Sequence, residues 1–152
     1  MLASKLLTAA AIGCCTYAAS AVQAGGTVTP ASGVQATNLA AGGSSGDIRI
    51  ATKGPTEVTF REITIEPGGS TGWHHHAGEL LAVVQAGTLT RQLEDCSVVV
   101  SPAGQVFVEP AGGQHVHVGR NLGAEPVVLY VAYVLPAGSP YSEEAADPGC
   151  GR

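Results

Sequence analysis

The chain has 152 residues, 45% of them hydrophobic and 12% charged, a composition that suits one packed domain and excludes an intrinsically disordered chain. Its formal net charge is −5, with acids and bases interspersed and no basic run; nucleic acid and anionic membrane surfaces are therefore excluded as partners, since both need a Lys/Arg patch to neutralise phosphates. The 21 glycines and 9 prolines are too many for a helical bundle and suit short strands joined by tight turns.

In chain order, residues 1–24 read as an export signal. Lys5 supplies a positive start, Leu6 to Ala19 is apolar except at its Thr and Cys positions, and Val22-Gln23-Ala24 offers small residues at a peptidase site, with cleavage expected after Ala24. A buried helix would need a later apolar partner, and the stretch that follows, Gly25 to Gly46, is linker-like instead. A lipoprotein cut before Cys14, after Ala11-Ile12-Gly13, has a poor residue at the first position of that motif. The mature protein is accordingly expected outside the cytoplasm, whether secreted, periplasmic or at the cell surface. No other segment approaches the ~20 apolar residues that span a bilayer. Residues 25–46, rich in Gly, Ser, Ala and Thr, read as a flexible linker, and residues 47–152 as the folded domain with its C-terminal tail.

From Ile48 onward the pattern becomes short β-like runs: Ile48 to Thr52, Val58 to Ile65, Leu80 to Ala86, Thr88 to Leu93, Ser97 to Val100, Val106 to Glu109, His115 to Val118 and Val127 to Leu135. Turn signals at Pro67-Gly68-Gly69, Gln85-Ala86-Gly87, Pro102-Ala103-Gly104, Pro110 to Gly113 and Asn121-Leu122-Gly123 punctuate them at the spacing of a sandwich or barrel. The run Val127 to Val134 is apolar on both phases, as for a strand buried on both sides or lying at a contact between two copies of the chain. The expected fold is all-β, a single antiparallel β-barrel or jelly roll.

All five histidines fall in two clusters, Trp73-His74-His75-His76 and Gln114-His115-Val116-His117. Strand side chains alternate with period two, so His74 and His76 share a face that His75 does not, and His115 and His117 share another. If adjacent strands carry the clusters, these imidazoles meet at one point, within the ~2.0 to 2.1 Å of a zinc–nitrogen bond. The alternative is a solvated surface turn, the expected place of His75. Once the signal is removed, Cys96 and Cys150 remain, and an even count in an oxidising compartment suggests a disulfide. Two unrelated thiols would be the alternative, but the polar tail around Cys150 provides no apolar burial.

These residues resemble the cupin superfamily. Its first motif runs Gly, five residues, His, one, His, three or four, Glu, six, Gly; Gly68, His74, His76 and Gly87 occupy those places, with Leu80 where the Glu belongs. The second runs Gly, five, Pro, one, Gly, two, His, three, Asn; Gly104, Pro110, Gly112 and His115 match its first half, and His117 and Asn121 its second. Both halves hold if two residues are inserted in the turn, an even number that preserves strand facing. The register to Asn121 makes His117 the implied third ligand and His115 the reserve. The resemblance implies one divalent transition metal (Zn, Fe, Mn or Ni), and likeness to short exported bacterial cupins adds support for Cys96–Cys150. Glu79 is one residue out of phase with the family's Glu; it points away on a regular strand and inward only if a bulge follows Ala77-Gly78.

Other residues carry weaker expectations. Trp73 reads as a wall of the barrel or pocket, Gln114 and Arg120 as anion binders only if they face its mouth, and at most one of Tyr130 and Tyr133 can face the cavity. Three functions fit this pattern: a metal-dependent enzyme acting on a small molecule, a non-catalytic module binding a metal or small ligand, and a structural, dimerising barrel with a vestigial site.

Overall fold

A computed structural model describes residues 32–150, so the expected signal segment and its cleavage site lie outside the described residues. The chain divides into two units, Met1–Gln35 and Ala36–Arg152, and every strand belongs to the second. The strands are β1 (Thr56–Ile65), β2 (His74–His75), β3 (Glu79–Ala86), β4 (Thr88–Leu93), β5 (Val98–Pro102), β6 (Val106–Glu109), β7 (His117–Arg120), β8 (Val127–Pro136) and β9 (Glu143–Glu144). Among the described residues there is no α-helix, and none long and apolar enough to cross a membrane.

Two antiparallel sheets form, in the orders β1-β8-β3-β6 and β5-β4-β7-β2-β9. The two-sheet jelly roll expected from the sequence is present, but the barrel is not closed, because no strand ladder joins one sheet to the other. The chain passes between sheets at corners. Gly87 is one of them: it holds φ +72° between β3 and β4, and a Cβ there would stand 2.6 Å from the Pro126 carbonyl oxygen. Glycine alone satisfies both demands.

Alternation along β8 sets the core. Val127, Leu129, Val131, Tyr133 and Leu135 point inward and are buried, whereas Val128, Tyr130, Ala132 and Val134 form a half-buried outer face. Leu80 and Val84 from β3, Leu89 from β4 and Phe107 from β6 meet the inward set. Asn121 is buried where β7 ends, its Nδ2 donating to the carbonyls of Ile65 and Glu125 at 2.8 Å each. It ties the turn to β1 and has a structural role.

Two departures from the expected elements have simple causes. Ile48 to Thr52 forms no strand; no neighbouring strand pairs with it, and it is tethered by the Ala51 N–H donating to the Glu79 carboxylate at 3.0 Å. Part of the stretch expected to be a linker lies along β6: the Gly43 N–H donates to the Gly104 carbonyl, and the Gly43 carbonyl accepts from Val106 N–H, both at 2.9 Å.

Cys96 and Cys150 form a disulfide, with their Cα atoms 5.1 Å apart and a sequence separation of 54. Cys96 holds φ +66° in the turn after β4, the one described non-glycine residue with positive φ. Closing a loop of this length removes chain entropy from the unfolded state worth about 4 kcal/mol at most. Replacing both cysteines by serine should lower the melting temperature by about 10 °C or more. A thermal melt checks this, and reductant should reproduce the drop in the wild type while leaving the double variant unchanged.

Candidate metal centre

The two histidine clusters meet because β2 and β7 are antiparallel neighbours, with His74 directly opposite His117. His76 follows β2 and continues the alternation, so it shares the face of His74. The three ring centroids lie 4.5 to 5.2 Å apart. One ligand atom from each of His74, His76 and His117 lies within 4.8 Å of the others. Two nitrogens bound to one ion at ~2.1 Å stand on the order of 3 to 3.4 Å apart, so each ring closes the difference by moving less than about 1 Å.

Each ring is held by its other nitrogen. Nδ1 of His74 donates to the Gly72 carbonyl at 2.8 Å, that of His76 to Tyr141 at 2.7 Å, and that of His117 to His115 at 2.9 Å. A carbonyl oxygen only accepts, so the proton of each neutral ring resides on Nδ1 and a lone pair remains on Nε2. Nε2 of His76 and of His117 are buried without a hydrogen-bond partner. Three oriented imidazoles with converging bare nitrogens, each fixed by an outer hydrogen bond, are the arrangement a divalent transition metal requires.

A fourth polar group enters from the opposite sheet. Glu109, at the end of β6, brings Oε2 to 3.3 Å from both His76 Nε2 and His117 Nε2, with its side chain 14% exposed. Arg91 Nη1 lies 4.0 Å from its other oxygen, and the Arg91 guanidinium is stacked 3.5 Å from the centroid of Phe107. Burial pushes the Glu109 carboxyl up, but the imidazoles of His117 and His76 outweigh it and hold the group well below the usual carboxylate range. His117 moves the other way: burial lowers it, yet the Glu109 carboxylate raises it above 6.5 on balance. His74 is lowered, chiefly by burial.

The cluster opens onto a cavity of about 220 Å³ between the sheets, with Leu80, Ala82, Leu129 and Val131 among its walls and Arg61, Tyr133 and Ser142 among its polar groups. Arg61 sits against the rings of Tyr141 and Tyr133, 4.4 and 5.5 Å from their centroids.

The other residues singled out in sequence lie elsewhere. His115 precedes β7, so strand alternation does not govern it; its Nδ1 is 3.8 Å from a Glu94 oxygen, outside the cluster. His75 faces away and is half-buried near Gly113. Glu79 is turned outward to Ala51, so no bulge brings it inward. Trp73 packs near Arg120, which donates to Gln92 at 2.9 Å, and Gln114 is exposed; none of the three lines the cavity. Of the two tyrosines, Tyr133 faces the cavity and Tyr130 does not. Glu109 and the Tyr141 carbonyl were missed in sequence. Period two from buried Phe107 places Glu109 on the inner face, a signal available in the run itself; nothing local marks Tyr141.

The family model described as a cupin domain matches residues 61–133. No curated protein matches the chain. Among solved structures, the DMSP lyase DddQ from Ruegeria pomeroyi is similar at TM-score 0.51 and 17% identity, over 60% of this chain and 45% of that one. This chain thus spans under half the length of the lyase. An uncharacterized conserved protein with a double-stranded β-helix domain from Klebsiella pneumoniae is similar at TM-score 0.48 and 23% identity, over 62% of this chain and 90% of that one.

The raised His117 gives a pH signature. A folded-state value above the unfolded one contributes stability that is complete below pH 6.5 and is lost as pH rises through the raised value. The lowered His74 acts only below 6.5, and the depressed Glu109 only as pH falls below about 5, toward its unfolded value. In chelator, the melting temperature should therefore fall as pH is raised from 6.5, whereas with a divalent metal it should rise over the same interval, as protons leave the nitrogens that metal requires.

Proposed function

Because residues 61–133 carry a cupin domain, we propose that this protein holds one divalent transition metal through His74, His76 and His117 and presents it to a small molecule in the adjoining cavity. The observation that carries the reading is the set of three Nδ1-to-carbonyl hydrogen bonds, which leave bare Nε2 atoms converging in a buried pocket. Zinc, iron, manganese and nickel are the metals considered, since an imidazole-rich set favours borderline ions over calcium or magnesium. Bound there, the ion supplies Lewis-acid polarisation of a ligand oxygen.

The chain's own groups define what enters. The walls at Leu80, Leu129 and Val131 are apolar, and the volume of about 220 Å³ suits a small molecule, a cavity of ~150 Å³ already accommodating benzene. Arg61 brings a positive charge and Tyr133 a hydroxyl to the same cavity, a pairing suited to a polar or anionic group on that molecule. The expected site of action is outside the cytoplasm: residues 1–24 read as an export signal, and a disulfide between Cys96 and Cys150 fits an oxidising compartment.

Elemental analysis of protein purified without a His tag should find about one metal per chain. His76→Ala and His117→Ala should each reduce the content to near zero with the circular dichroism of the fold retained. A wild type that carries no metal and takes up none on titration would refute the site. Turnover or binding assays against small phenols, thiols, sugars and keto acids then separate enzyme from binder. If the exported chain is cut as expected, amino-terminal sequencing of the mature protein will begin at Gly25; an intact Met1 would sink that part of the reading.

A further inference from the structure

We propose that Glu109 is a fourth, anionic ligand of the metal, supplying from β6 the carboxylate that Leu80 withholds on β3; the inference rests on the three-histidine reading above. Position 80 is where the family resemblance expects a glutamate, and it holds a leucine that is 2% exposed. In the β3–β6 ladder the residue directly opposite Leu80 is Glu109. Opposed residues of an antiparallel pair have Cβ atoms about 4.5 to 5.5 Å apart on the same face, so a carboxylate extended from either reaches nearly the same point.

The distances fit a coordination polyhedron. Glu109 Oε2 is equidistant, at 3.3 Å, from His76 Nε2 and His117 Nε2. Donor atoms sharing one ion at ~2.1 Å are separated by on the order of 3 to 3.4 Å. With both rings neutral, hydrogen bonding does not account for the approach, because each ring's proton is committed to a carbonyl on the other side; only a positive charge between the groups, a proton on Nε2 or a metal ion in its place, makes it favourable. The carboxylate oxygen therefore faces two lone pairs, a contact that an intervening cation makes favourable.

Nor is Glu109 simply the counter-ion of Arg91. Their closest approach is 4.0 Å, beyond hydrogen-bond range, and Arg91 Nε is itself without a partner. Stacking on Phe107 keeps the guanidinium on the Oε1 side, which leaves Oε2 free for a single bond to the ion. Arg91 is thus a positioning residue. A negative ligand beside three neutral imidazoles halves the net charge that a dipositive ion brings into the pocket, which reduces the cost of burying it.

The test uses the mature protein loaded with zinc or cobalt(II). Affinity is read by competition with a chromogenic chelator, and ligand geometry by cobalt(II) ligand-field absorption. Glu109→Gln is expected to weaken metal binding by about 100-fold or more, at or above the upper end of what losing an outer-shell partner costs, and to shift the cobalt spectrum. Glu109→Asp keeps the charge beside Arg91 but withdraws the oxygen by one methylene, and is expected to weaken binding with the fold intact. The exchange Leu80→Glu/Glu109→Leu should recover most of the affinity. Wild-type affinity and spectrum in both Glu109→Gln and Glu109→Asp would overturn the assignment, and Glu109→Asp decides alone if Glu109→Gln does not fold. A wild type that binds no metal refutes the histidine reading itself, a result distinguishable from equal binding by wild type and variants.

Discussion

The constraint on which the site depends is the placement of three imidazole protons. Carbonyls of Gly72, Tyr141 and His115 each take an Nδ1 proton, so three clustered imidazoles keep bare Nε2 lone pairs, and those of His76 and His117 face the Glu109 carboxylate. Among buried side chains such a gathering of electron-rich atoms is unfavourable until a positive charge enters it. A proton or a metal ion can relieve it, and the geometry of the nitrogens suits the metal.

Much of the second sheet exists to hold those carbonyls in place. β2 is only two residues long and would not persist alone, but it is paired on one side with β7 and on the other with β9. β9 follows the segment that carries Tyr141, whose carbonyl orients His76, and the chain beyond it reaches Cys150, bonded to the turn after β4. The disulfide therefore does more than limit the unfolded state. It anchors a tail that would otherwise be free to leave, and with it the hydrogen bond that sets the tautomer of His76.

The opposite sheet supplies the walls and the charge. β8 buries one apolar residue in two, giving the cavity an apolar floor, and the same alternation brings Tyr133 to it. β6 contributes Phe107 and then Glu109 on the same inner face, so one short strand provides both the platform for Arg91 and the carboxylate beside the histidines. Charge is thus placed at one end of an apolar chamber, which strengthens every electrostatic interaction there.

Sequence alone determined the fold class, most strand positions and the inward pair His74 and His76, because period-two alternation and glycine turns are local properties written along the chain. The two thiols left after the expected cleavage, together with the family resemblance, suggested the Cys96–Cys150 bond that the structure shows. The sequence also favoured His117 over His115, through the register to Asn121, although the physical reason appeared only in the structure, where β7 begins at His117 and leaves His115 outside the alternation. Tertiary structure decided the rest. Whether the two sheets close, that Glu109 stands opposite Leu80, that Glu79 turns outward to Ala51, and that the Tyr141 carbonyl orients His76 are all matters of which strand lies beside which. Such pairings join residues far apart in the chain, and no local pattern records them.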